Sequence, residues 1–149
     1  MEIRSSAFTE GASIPSKFSR DGGNISPPLE FTNVPAGTQS LVIIMDDPDA
    51  PRGTFTHWVI YNIAPDETEF AENDPLEEAL LGANDWGERA YGGPRPPSGE
   101  HRYFFHLYAL DQELKLSEGV KRNQVLEAVR GHVLAEAQLM GRYAAGRAG

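Results

Sequence analysis

The sequence predicts a mainly β domain with one amphipathic α-helix toward its C-terminus. Three apolar runs of strand character, at 39–45, 55–63 and 101–110, are separated by loops rich in proline and glycine. Beyond residue 123 the apolar residues recur at steps of three and four, the period of a helix.

In chain order, residues 1–24 read as irregular with strand-like pieces, closed by the turn Asp21-Gly22-Gly23-Asn24. Leu29 and Phe31 alternate with polar neighbours after Pro27-Pro28, as in a short edge strand. Val34-Pro35-Ala36-Gly37 turns the chain into residues 39–45, apolar almost throughout and so a strand covered on both faces. The strand at 55–63 follows. A strict period of two places His57 with Phe55, Val59, Tyr61 and Ile63, and Trp58 with Ile60 on the other face. Residues 64–90 are acidic and weakly patterned. Residues 74–82 fit one helical turn, with Asp74 as cap, Pro75 at the first position and Gly82 as stop. Asn84-Asp85-Trp86-Gly87 reads as a loop. Strand 101–110 ends at Asp111 and carries His101, Tyr103 and Phe105 on one face, with Arg102, Phe104 and His106 on the other. Leu126, Val129, Val133, Ala137 and Met140 predict a core-packing helix over 123–140, capped by Asn123 and fraying at Gly141 and Gly146.

With 149 residues, one domain spanning 1–149 is expected, long enough for a real core. There is no cysteine, which excludes disulfides, thiolate catalysis and Cys-based zinc sites. The net charge of −9 repels nucleic-acid backbone and anionic lipid surfaces, so no nucleic-acid partner is expected. A pocket for one small anion is still allowed, because close donors outweigh a distant, screened field. The first residues lack the apolar core of a secretory signal and no later run is long enough to span a bilayer. A cytoplasmic protein without integral membrane association is therefore the expectation.

Two proline-rich loops, 46–54 and 91–100, each lead into a strand with a histidine near its start. If the loops converge, Asp47, Asp49 and His57 from the first meet Gly93, His101 and Tyr103 from the second. Imidazole, phenol and backbone N–H groups together can cradle a phosphate or carboxylate. The carboxylates repel an anion, so they either orient the imidazole rings or meet the cationic end of a zwitterion. By spacing alone, His57 and His101 serve equally well as structural histidines, and Asp47 and Asp49 as turn-makers. His106 and His132 read as structural or exposed, and Trp58 and Trp86 as packing residues. No His-x-x-x-His or His-Glu-x-x-His spacing supports a metal centre, and no Gly-x-Ser-x-Gly elbow supports a serine hydrolase. No cofactor and no catalytic residue is expected.

Asp47-Pro48-Asp49-Ala50-Pro51, His57-Trp58, Gly92-Gly93-Pro94 and Pro97-Ser98-Gly99-Glu100-His101-Arg102-Tyr103 closely resemble the phosphatidylethanolamine-binding protein (PEBP) family, in its prokaryotic YbhB/YbcL, Raf kinase inhibitor-like branch. Asp21-Gly22-Gly23-Asn24-Ile25-Ser26-Pro27-Pro28-Leu29, Asn84-Asp85-Trp86-Gly87 and Gly131-His132-Val133-Leu134-Ala135 extend the likeness nearly end to end. The resemblance implies a large antiparallel sheet packed on a smaller sheet, with a C-terminal α-helix. It implies a small pocket for phosphate-like anions, including phospholipid head groups such as phosphoethanolamine. Asp47 and Asp49 would form its acidic wall, His57 and His101 its ring donors, Gly93 a backbone donor beside Pro94, and Tyr103 a hydroxyl. Relatives of this branch are often homodimers, which extends the expectation to this chain. Arg95 departs from the cysteine of many bacterial relatives and adds a positive charge near the pocket, or serves as a solvated loop residue. Two other readings share the same cluster: an inhibitor of a kinase or protease that binds an unidentified protein partner, and a hydrolase or lyase with a histidine base.

Overall fold

A computed structural model describes residues 1–146 of the chain. The order of elements is β1 (Glu2–Arg4), a 3-10 turn (Ser16–Phe18), β2 (Leu29–Thr32), β3 (Ser40–Asp47), β4 (Phe55–Ile63), β5 (Glu69–Phe70), β6 (Leu80–Leu81), β7 (Glu100–Leu110), α1 (Arg122–Val129) and β8 (Val133–Ala144). The strands form two antiparallel sheets, a small one ordered β1-β2-β5 and a large one ordered β6-β4-β3-β7-β8. The mainly β class and the two-sheet arrangement therefore agree with expectation.

The large sheet is covered on both faces, which explains why β3 is buried along its whole length. On one face Ile43, Met45, Ile60 and Phe105 pack with Leu29, Phe31 and Phe70 of the small sheet. On the other, Val42, Ile44, Val59 and Tyr61 pack with Val125 and Val129 of α1.

Four expectations are corrected. The helix predicted over 123–140 stops at Val129, and Val133–Ala144 is a twelve-residue strand paired along the length of β7. Gly131, at φ +82°, takes the left-handed conformation that ends a helix, and pairing with β7 outweighs the helical spacing of Val133, Ala137 and Met140. Gly141 thus lies inside β8, where any Cβ would stand 2.5 Å from Ile14 Cγ1. The helix is capped by Lys121, not Asn123, and Gln124 Oε1 accepts the Lys121 N–H at 2.9 Å. Residues 74–82 are not a helical turn. Asp74 instead accepts the N–H groups of Ala71 and Leu76, and the segment ends in β6.

The fourth correction concerns β4. Its register against β3 slips between Met45/Trp58 and Asp46/Thr56, and again between Leu41/Ile63 and Ile43/Ile60. Each slip is a bulge, one extra residue that switches the faces of the residues beyond it. Val59 and Tyr61 consequently face α1, whereas Ile63 joins Trp58 and Ile60 on the opposite face. His57 keeps company with Phe55 and meets Tyr103, a residue of the core between the sheets.

Candidate functional site

The two proline-rich loops do converge. They border a cavity of about 560 Å³ at one end of the large sheet, walled by Asp47, His57, Asp85, Trp86, Arg95 and His101 and rimmed by residues 50–55. The loop after β3 is shaped by Asp47, whose Oδ1 accepts the Asp49 N–H at 2.8 Å in a side-chain turn. The loop before β7 is tied to β4 twice: Gly92 N–H donates to His57 O at 3.0 Å, and Gly92 O accepts from His57 Nδ1 at 2.7 Å.

These contacts settle how the rings are held. A carbonyl only accepts, so His57 Nδ1 carries a proton and Nε2 is the free nitrogen. Burial lowers the His57 pKa below its ordinary 6.5, with Gly92 O and Asp47 opposing in part. The ring is therefore neutral at pH 7, with Nε2 an acceptor. His101 Nδ1 lies 2.6 Å from Asp47 Oδ2, so it donates to that carboxylate and its Nε2 is likewise unengaged. Tyr103 lies behind both rings, edge-on to His57 at 5.2 Å between centroids and stacked with His101 at 6.5 Å. Its hydroxyl does not line the cavity; it is buried near Asp47 and the Arg95 backbone, and among the described residues it makes no hydrogen bond of good geometry. Burial and the nearby Asp47 charge push its pKa well above the ordinary phenol value, so it keeps its proton to donate.

Other predicted site residues take different places. Asp49 is outside the cavity wall. Its carboxylate accepts from Arg102 N–H, Nε and Nη2 at 2.9, 3.0 and 2.8 Å, which lowers its pKa from 3.8 to about 2. The pair anchors the first loop to β7. Gly93 does not offer a free backbone donor, because its N–H donates to Asn24 Oδ1 at 2.8 Å. It is glycine for a steric reason: a Cβ there would stand 2.1 Å from Phe18 O. Pro94 borders a second, smaller cavity of about 240 Å³, which also includes Arg95. His106 pairs with buried Asp46 at 3.1 Å, and His132 with Asp111 at 2.9 Å on the surface.

Phe55, Asp85 and Trp86 join the site without having been singled out for it. Trp86 meets Phe55 and His57 edge-on at 4.7 and 5.1 Å, and Arg20 sits over its ring at 4.0 Å. Asp85 Oδ2 accepts the Thr56 N–H at 2.7 Å. A tryptophan beside a carboxylate in a polar, turn-forming stretch was the available signal. Among the described residues no group of His, Asp and Glu is arranged to hold a metal ion, and no helix is long and apolar enough to cross a membrane.

An open cavity at the end of a two-faced sheet, lined by anchored rings, defines the class: a ligand-binding β protein of the PEBP fold. The family model described as phosphatidylethanolamine-binding protein matches residues 4–144, and the chain belongs to that family. A UPF0098 protein of Methanothermobacter thermautotrophicus is 50% identical over 151 residues, covering 98% of this chain and 100% of the relative. The crystal structure of a PEBP homolog from Chlamydia trachomatis superposes with a TM-score of 0.92 at 45% identity, over 95% of each chain. Escherichia coli YbcL, a member of the mammalian PEBP family, superposes with a TM-score of 0.90 at 27% identity, over 96% of this chain and 97% of that one.

Proposed function

We propose that the cavity binds a small phosphate-like anion, free or as the head group of a larger molecule, and that the protein acts by binding and not by catalysis. One observation carries this reading. Two imidazoles on the same wall are each fixed through Nδ1, by Gly92 O and Asp47 Oδ2, and among the described residues no hydrogen bond of good geometry occupies either Nε2. Rings anchored in this way are preorganised for a ligand and lose little freedom when it arrives. A neutral Nε2 accepts the proton of a P–OH group, and becomes a donor if the arriving anion draws a proton onto the ring.

Phe55, Trp86 and the exposed Asp85 carboxylate form another part of the wall, suited to an ammonium group. A zwitterion such as phosphoethanolamine matches both parts. Calorimetry at low salt with phosphate, acetate and phosphoethanolamine tests the reading. The phosphates should bind, with phosphoethanolamine tighter than phosphate, and acetate weakest. An absence of heat with all three would overturn it.

A further inference from the structure

Arg95 is the cation placed between the two cavities, bordering both. Its backbone belongs to Pro94-Arg95-Pro96-Pro97, where three prolines restrict φ, so the long side chain is the movable part of the segment. Among the described residues the side chain makes one ion pair, Nε to Asp21 Oδ2 at 3.2 Å, between groups that are 59% and 73% exposed. A pair so exposed contributes little, because water and salt compete for both partners. A guanidinium on a phosphate within a cavity makes stronger, paired hydrogen bonds, and gains most from a dianion.

We propose that Arg95 is a specificity-determining residue that exchanges Asp21 for the bound anion and tunes the site toward phosphate monoesters over phosphodiesters. The inference rests on the anion-binding reading above and names the ligand class more narrowly. A monoester near neutral pH presents up to two charges and three terminal oxygens, whereas a diester presents one charge and two. Asp21 acts as a resting partner that keeps the arginine near the cavity mouth without filling it.

The test is calorimetry with inorganic phosphate and dimethyl phosphate at pH 8 on the wild type, Arg95→Gln and Asp21→Asn. Arg95→Gln should lose about tenfold in affinity for phosphate, the scale of one charge-assisted pair, and clearly less for dimethyl phosphate. Asp21→Asn removes the competing partner and should raise phosphate affinity by about threefold. In the wild type the Arg95 Nε–H resonance should move during a phosphate titration. Equal losses on the two ligands in Arg95→Gln, or weaker phosphate binding in Asp21→Asn, would overturn the proposal. If the wild type binds phosphate and Arg95→Gln binds it equally well, Arg95 has no such role and the anion site stands. If the wild type binds neither ligand, the anion site falls and this inference with it.

Discussion

His101 Nδ1 donates to Asp47 Oδ2 across 2.6 Å, joining the start of β7 to the end of β3 with both side chains more than nine-tenths buried. The same carboxylate holds the Asp49 N–H through its other oxygen, so one side chain fixes both a ring and a loop. Asp47→Ala strands two donors, one of them buried. It should lower unfolding free energy by about 2–4 kcal/mol, the cost of buried partners left unpaired. Asp47→Asn keeps an acceptor oxygen for one of the donors and should cost roughly half as much. Urea unfolding of the two variants against wild type measures both. An alanine variant within about 0.5 kcal/mol of wild type would show that the pair does not hold the site.

His57 gives the site a pH dependence whose sign is fixed by its burial. Its folded pKa lies below the unfolded value of 6.5, because burial disfavours the charged ring. Between those two values the unfolded chain binds more protons than the folded one, so acid favours unfolding. The contribution of neutral His57 is full above about pH 6.5 and declines as the pH falls through the folded pKa. His57→Gln should flatten this part of the stability profile. An anion reaching Nε2 favours the protonated ring, so sulfate, a dianion across this range, should bind more tightly as pH drops from 8 to about 5. Sulfate affinity unchanged over that interval would place the anion away from His57.

Strands β3, β4 and β7 were legible because burial on alternate or both faces leaves a direct mark in the apolar pattern. The bulge at His57 was not, since a single extra residue leaves the composition of the strand unchanged while switching its faces. The end of the chain misled for a related reason. In β8 the buried positions are Leu139, Gly141 and Tyr143, and a glycine at the middle one hides the alternation of a strand. At the site, motifs and loops pointed to Asp47, His57 and His101, which the structure brings to one wall. They could not reveal that Arg102 occupies Asp49 or that Asn24 takes the Gly93 N–H, because both partners lie far away in sequence.

The close packing of Gly92 and Gly93 makes a graded prediction about the shape of the cavity. A Cβ on Gly92 would lie 2.3 Å from Trp86 Cζ3 and 2.6 Å from Cε3, both in a side chain at the cavity wall. The indole can move outward from beneath Arg20, so Gly92→Ala should cost about 1–3 kcal/mol and carry Trp86 away from His57 and Phe55. A Cβ on Gly93 would meet backbone atoms instead, 2.1 Å from Phe18 O and 2.7 Å from Ser19 C. Backbone held by neighbouring hydrogen bonds yields less readily than a ring, so Gly93→Ala should be the more destabilising of the two. Thermal unfolding ranks the variants. Indole emission in a Trp58→Phe background, where Trp86 is the remaining tryptophan, reports the displacement in Gly92→Ala as a shift from the parent spectrum. An unshifted spectrum, or Gly93→Ala more stable than Gly92→Ala, would contradict the packing that shapes this wall.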